Sequence, residues 1–112
     1  MWTRFRAQAN MWMALAELFL AEGRLNDVGP CVEQAVALFP QAHQALYLKG
    51  RLYIARAEKA TDETIAAKFR AEANSSLLSA LALCPSHTAS LYHLAKLYTN
   101  EGNTAMAEQM YR

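Results

Sequence analysis

One recurring pattern limits what this chain can fold into more than any other feature. Three stretches align: Met11-Trp-Met-Ala-Leu-Ala-Glu-Leu-Phe19, followed by Gly23 and Phe39-Pro40; Ala45-Leu-Tyr-Leu-Lys-Gly-Arg-Leu-Tyr53, followed by Cys84-Pro85; and Ser90-Leu-Tyr-His-Leu-Ala-Lys-Leu-Tyr98, followed by Gly102. In each, a small residue (Ala16, Gly50 or Ala95) stands one turn ahead of a large aromatic one (Phe19, Tyr53 or Tyr98). The small residues let paired helices approach, and the large ones fill the space between neighbouring pairs. Proline cannot continue a helix, so Pro40 and Pro85 each mark a helix end. Glycine admits the backbone of a tight turn, which suits Gly23 and Gly102. An ordinary amphipathic bundle shares the 3.6-residue periodicity but does not explain three aligned sets of small, aromatic, Gly and Pro residues.

The pattern resembles the tetratricopeptide repeat (TPR), a unit of about 34 residues built from two antiparallel helices. The first unit covers 9–42, with Trp12, Leu15, Ala16, Phe19, Gly23, Ala35 and Pro40 at signature places. A second covers 43–87, with Leu46, Gly50 and Tyr53 in its first helix and Ala73, Leu77 and Ala80 in its second. A third covers 88–112 and is truncated, with Leu91, Leu94, Ala95, Tyr98, Gly102 and Ala107 in place and Tyr111 where an aromatic is expected. Pro85 follows Pro40 by 45 residues, 11 more than the repeat length of about 34. The resemblance implies an all-α fold: a TPR-type right-handed α-solenoid of antiparallel helix pairs, with about 2.5–3 repeats. No single unit buries its apolar face alone; stacking makes the core.

The expected helices run over 3–21, 28–39, 42–59, 63–83, 88–100 and from 105 onward. Asp27 is the expected N-cap of the second helix, with Pro30 in its first turn. Thr61 or Asp62 is expected to cap the fourth. The 11 extra residues fall around 55–66, where Ala, Glu and Lys are frequent. They equal about three helical turns. The second repeat is therefore expected to have lengthened helices that project as a helical hairpin.

With 112 residues, the chain suits a single domain, and 54% hydrophobic residues supply ample core. The helical rhythm of Ala105 to Arg112 meets no closing Gly, Asn or Pro, so the chain is expected to be a fragment of a longer protein. An apolar edge at Met106, Met110 and Tyr111 is expected to favour self-association. A formal net charge of +1 carries none of the basic excess of a nucleic-acid binder or of a polybasic membrane surface. No apolar run approaches the ~20 residues that cross a bilayer, which argues against direct membrane insertion.

The residues of enzyme chemistry are nearly absent. His43, His87 and His93 have no i, i+4 pairing of the helical zinc type, and they read as capping or packing residues. Cys31 and Cys84 lie on helices with no base suggested beside them, and they read as small apolar core residues in a reducing compartment. There is no Gly-rich phosphate loop and no Gly-x-Ser-x-Gly. The chain is expected to be no enzyme and to need no cofactor or metal.

Binding is expected instead on the concave face, where a TPR stack presents the first helix of each pair. The resemblance places Asn10, Met13, Glu17 and Leu20 there from the first unit. Gln44, Tyr47, Arg51 and Ile54 come from the second, and Ala89, Tyr92, Lys96 and Thr99 from the third. Apolar and aromatic residues at one position, with one acid and two bases at another, suit a helix or extended peptide with an apolar stripe and polar flanks. One TPR subclass holds acidic chaperone tails with Lys and Asn at two first-unit positions. This chain has Met13 and Glu17 there, which disfavours that co-chaperone role.

A narrower likeness runs through Cys31-Val-Glu-Gln-Ala-Val-Ala-Leu-Phe-Pro40, His43, Leu46-Tyr-Leu-Lys-Gly50 and Pro85-Ser-His-Thr88. These stretches resemble the C-terminal repeats of the tetratricopeptide repeat protein 7 family. That resemblance implies a cytoplasmic, non-catalytic adaptor, held peripherally at the plasma membrane through partners. Those partners would be a hyccin-type protein and the lipid kinase phosphatidylinositol 4-kinase III alpha. Two other functions suit the same residues: a peptide-binding TPR receptor or co-chaperone, and an accessory TPR domain of a larger enzyme.

Overall fold

The structure, a computed structural model, describes residues 2–100. Its elements are α1 (Trp2–Ala21), α2 (Leu25–Leu38), α3 (His43–Lys59), α4 (Glu63–Leu83) and α5 (Thr88–Asn100). All the regular structure among the described residues is helical. The expectations for Gly102, Ala107, the last helix and the edge at Met106, Met110 and Tyr111 lie outside the described residues.

The helices pack as the repeat demands. α1 pairs with α2 and α3 with α4; α2 also packs on α3, and α4 on α5. The odd-numbered helices touch in a row, α1 on α3 and α3 on α5, whereas α2 and α4 do not meet. First helices close together and second helices splayed apart give a curved stack whose inner face belongs to α1, α3 and α5. The fold is an all-α TPR solenoid.

Each connection has a local cause. Gly23 adopts φ 75°, the left-handed conformation that glycine takes without strain. The Arg24 N–H then donates to Phe19 O at 2.9 Å and the Gly23 N–H to Leu20 O at 3.1 Å. These two bonds form a Schellman closure of α1. The Arg24 guanidinium lies 4.6 Å over the Phe19 ring, where an apolar contact usually completes the motif. At the far ends of the pairs, Phe39 (φ −145°, ψ 85°) and Cys84 (φ −143°, ψ 87°) adopt nearly the same conformation before their prolines. A residue preceding proline is driven out of the helical region, so the same dipeptide position ends both helices alike.

The start of α2 differs from expectation. The helix begins at Leu25, about one turn before Val28, and Asp27 lies inside it rather than at its cap. Asp27 Oδ2 accepts from Arg24 Nε at 2.8 Å. An acid in the first turn is favoured by the helix dipole, and this pairing outweighs a side-chain cap. Pro30 consequently sits in the second turn. Its missing N–H leaves one carbonyl, that of the exposed Asn26, to solvent.

The 11 inserted residues are helical throughout. From its first repeat position, α3 runs to Lys59, four residues further than the equivalent of α1, which ends at Ala21. α4 has 21 residues against 14 in α2, seven more. Those four and seven account for the whole insertion, so the connecting turns keep their lengths. Asp62 caps α4, its Oδ1 accepting from the Thr64 N–H at 2.9 Å. Arg70 pairs with Glu63 along the same helix.

Two apolar clusters make the core. Ala9, Ala16, Val28, Val32, Ala35, Ala45, Leu48 and Leu52 join α1, α2 and α3, with Trp12 and Phe19 packed against them. Ala73, Leu77, Leu94 and Leu97 join α4 to α5, with Tyr53 and Tyr98 alongside. Tyr47 borders both clusters. The tightest point is Gly50, where an added Cβ would lie 2.8 Å from both Cγ and Cδ2 of the fully buried Leu77.

Gly50→Ala tests that contact. Helix propensity alone gains about 1 kcal/mol from the change. Overpacking a filled core costs about 1–3 kcal/mol. The net expectation is a loss of stability in urea denaturation. In a Leu77→Ala background, itself about 2–5 kcal/mol less stable, the same change is expected to stabilise. A higher midpoint for Gly50→Ala alone would show that the helices are not so close.

Candidate functional site: the inner face of the solenoid

Two clefts open along the row of first helices. One, about 270 Å³, is lined by Asn10, Met13, Ala14 and Glu17 of α1, Gln44, Tyr47 and Leu48 of α3, and His87. The other, about 220 Å³, is lined by Leu20, Arg51, Ile54, Ala55, Glu58, His93, Lys96 and Leu97. They lie one behind the other because residues three and four apart share a helix face. Glu17 and Leu20 of α1, and Tyr47 and Arg51 of α3, are such neighbours, and each pair is divided between the two clefts.

Of the residues expected from the repeat, Met13, Glu17, Gln44 and Tyr47 meet in the first cleft, and Leu20, Arg51, Ile54 and Lys96 in the second. Met13 is only 7% exposed, so it forms the floor of its cleft rather than a free contact. Tyr92 is exposed and lies beside His93 on α5, with the Lys96 ammonium 5.6 Å from its ring centroid. Thr99 lines neither cleft; its hydroxyl donates to Ala95 O at 2.9 Å on its own helix.

The feature between the clefts is aromatic. Tyr47 meets His87 edge-on at 5.1 Å and His93 at 5.6 Å between ring centroids. His43 meets His87 at 4.8 Å. The Arg51 guanidinium stands 5.6 Å from the centroid of the Tyr47 ring. His87 precedes α5 and shares a 2.6 Å hydrogen bond between its Nδ1 and the hydroxyl of Ser90, which is fully buried. Sequence spacing separates the three histidines, and stacking of successive units brings them together. Their proximity follows from repeat register: His43 opens one unit, while His87 and His93 flank the start of the next. Among the described residues no group of three or more His, Cys, Asp or Glu is placed to hold a metal ion.

Burial and neighbouring charges disfavour protonation of His87 and His93. Burial, then the neighbouring His43, lowers the His87 pKa below its ordinary value of 6.5. Burial, then Arg51 and Lys96, lowers that of His93. The inner face thus offers cations at Arg51 and Lys96 and acids at Glu17 and Glu58, around rings that act as hydrogen-bonding and stacking surfaces. Elsewhere, burial and then Asp27 raise the Cys31 thiol, which suits an inert core cysteine. Among the described residues no helix is long and apolar enough to cross a membrane.

The pKa directions set a pH dependence. Both histidines bind protons more weakly folded than unfolded, so the unfolded state takes up more protons as pH falls through about 6.5. Their contribution to stability is complete above that pH and diminishes below it. Thermal midpoints are expected to fall between about pH 7.5 and 5.5, and less so in His93→Gln. A variant curve parallel to that of the unaltered chain would separate His93 from the effect.

The inner face can be set beside known proteins. No family model matches the sequence. The chain is 31% identical over 104 residues to tetratricopeptide repeat protein 7B of Homo sapiens, an alignment covering 93% of this chain and 11% of that protein. It is 38% identical over 52 residues to tetratricopeptide repeat protein 7A of Homo sapiens, covering 46% of this chain and 6% of that protein. Tetratricopeptide repeat protein 7B of Mus musculus is 29% identical over 104 residues. The chain therefore spans about a tenth of the length of the curated relatives it matches. Those alignments agree with the stacked helix pairs: the chain belongs to the tetratricopeptide-repeat proteins and is similar to tetratricopeptide repeat proteins 7A and 7B.

Proposed function

We propose that this chain is a non-catalytic scaffold segment whose inner face holds part of a partner protein as a helix or extended peptide. The observation that carries the reading is the pair of clefts aligned on α1, α3 and α5, with the Tyr47 aromatic group between them. A helix laid along such a row can place apolar side chains in successive clefts, one or two turns apart. Met13, Leu20, Tyr47, Ile54 and Tyr92 would take the apolar side chains. Glu17, Gln44, Arg51 and Lys96 would face polar flanks.

In its specific form the scaffold contributes to an assembly that recruits phosphatidylinositol 4-kinase III alpha to the plasma membrane, together with a hyccin-type protein. Support for that form is the likeness to tetratricopeptide repeat proteins 7A and 7B, which extends over 93% of this chain for 7B and 46% for 7A. The chain acts there as one domain of repeats 9–42, 43–87 and 88–112. It would need no cofactor and would be cytoplasmic, reaching the membrane only through its partners.

The test is affinity capture from cell extract with the unaltered chain and a Tyr47→Ala/Arg51→Glu variant, each checked for helical content. Lipid-kinase or hyccin-type subunits are expected with the unaltered chain and are expected to be lost with the variant. Recovery of chaperones alone would replace the scaffold with a co-chaperone, and equal recovery by the variant would move the partner off the inner face.

A further inference from the structure

The inserted residues build something a standard repeat lacks. A cleft of about 680 Å³ lies between the lengthened hairpin and the α1–α2 turn. One wall consists of Gly23 to Asp27; every residue of the other lies between Arg56 and Phe69. That second wall coincides with the last four residues of α3, the α3–α4 turn and the first seven residues of α4, and those four and seven helical residues are the ones by which this repeat exceeds its neighbours. Without the insertion the cleft has only one side. It lies at the turn end of the helix pairs and shares no lining residue with the two inner clefts.

Its chemistry is asymmetric. Leu25 and Phe69 supply an apolar base, and Ile65, 46% exposed, a rim. Arg24 already pairs with Asp27 and Glu22, and the Asp62 carboxylate is engaged in capping α4. Arg56 and Lys59 line the same cleft and have no ion-pair partner among the described residues. The Lys59 ammonium leans over the α1–α2 turn, 3.9 Å from where a Cβ on Gly23 would lie. The acids of the cleft are thus engaged internally, whereas these two cations lack a carboxylate partner among the described residues, the Arg56 guanidinium standing 5.6 Å from the centroid of the Tyr53 ring.

We propose that the lengthened hairpin forms a second docking site, which takes an acidic segment of a partner protein with an apolar residue set among its carboxylates. The carboxylates pair with Arg56 and Lys59, and the apolar side chain inserts between Ile65, Leu25 and Phe69. The occupant is a peptide rather than a lipid headgroup because the cleft joins its cations to the apolar residues Leu25, Ile65 and Phe69, which a headgroup alone would leave unfilled. The site is independent of the inner face, so a scaffold could hold two segments of one partner, or two partners.

The experiment selects random displayed peptides of about a dozen residues on the 112-residue chain and measures the enriched ones by fluorescence polarisation. Peptides with several acidic residues around a Leu, Ile or Phe are expected. Arg56→Gln/Lys59→Glu and, separately, Ile65→Asp are expected to weaken them by about tenfold or more. Arg51→Glu/Lys96→Glu, on the inner face, is expected to leave them unchanged. Matching thermal melts show that each variant is folded, and Ile65 is exposed enough to accept the change. Failure to enrich acidic peptides, or enriched peptides indifferent to both cleft variants, overturns the proposal. So does Lys59-dependent capture by phosphatidylcholine vesicles with about a fifth phosphatidylserine against which the enriched peptides do not compete.

Discussion

Everything in this solenoid depends on how closely the two helices of a pair can approach. At Gly50 the answer is closer than any side chain allows, because Leu77 of α4 occupies the place of the missing Cβ. Ala16 and Ala95 hold the same place in their own units and are likewise fully buried. Once the two described pairs are that tight, the aromatic residue one turn on is pushed outward to meet the next unit. Phe19 and Tyr53 do this, packed against clusters that span neighbouring units. Curvature, the inner row of α1, α3 and α5, and the clefts along it follow from that one spacing.

Much of this was legible in the residues. Helix ends tied to chain chemistry fell where the sequence put them: Ala21 before the Gly23 turn, Leu83 before Cys84-Pro85, and the Asp62 cap of α4. The insertion was legible as length, since a surplus rich in Ala, Glu and Lys continues a helix more readily than it forms a loop. The start of α2 was misread, because two signals competed there. Asp27 can cap a helix or sit in its first turn, and only the position of Arg24 decides between them.

The site was legible as a set of helix positions and not as a surface. Repeat register told which side chains share the inner face, and the clefts gather them. It did not tell that Met13 would be a floor, that Thr99 would spend its hydroxyl on its own helix, or that His87 and His93 would meet on Tyr47, with His43 against His87. Those facts arise between units, where stacking joins residues far apart in the chain. The cleft beside the hairpin was hidden for the same reason: its two walls come from different repeats.

The two surfaces differ in physical character. The inner face balances bases against acids around an aromatic group, which favours shape and stacking over charge. The hairpin cleft leaves two cations uncompensated beside an apolar base, which favours charge with one anchoring side chain. Exposed ion pairs contribute little individually, so each surface depends on its apolar residues for affinity and on its charges for selection.

Hydrogen exchange over the hairpin tests the structure most directly, because the insertion is where a repeat protein could most easily give up helix. Amides of residues 56–59 and 66–69 are expected to exchange slowly, with the protection of the continuous helices α3 and α4. Exchange there at the rate of an open loop, with protection confined to the remainder of both helices, would contradict a lengthened helical hairpin and remove the wall of the second cleft with it.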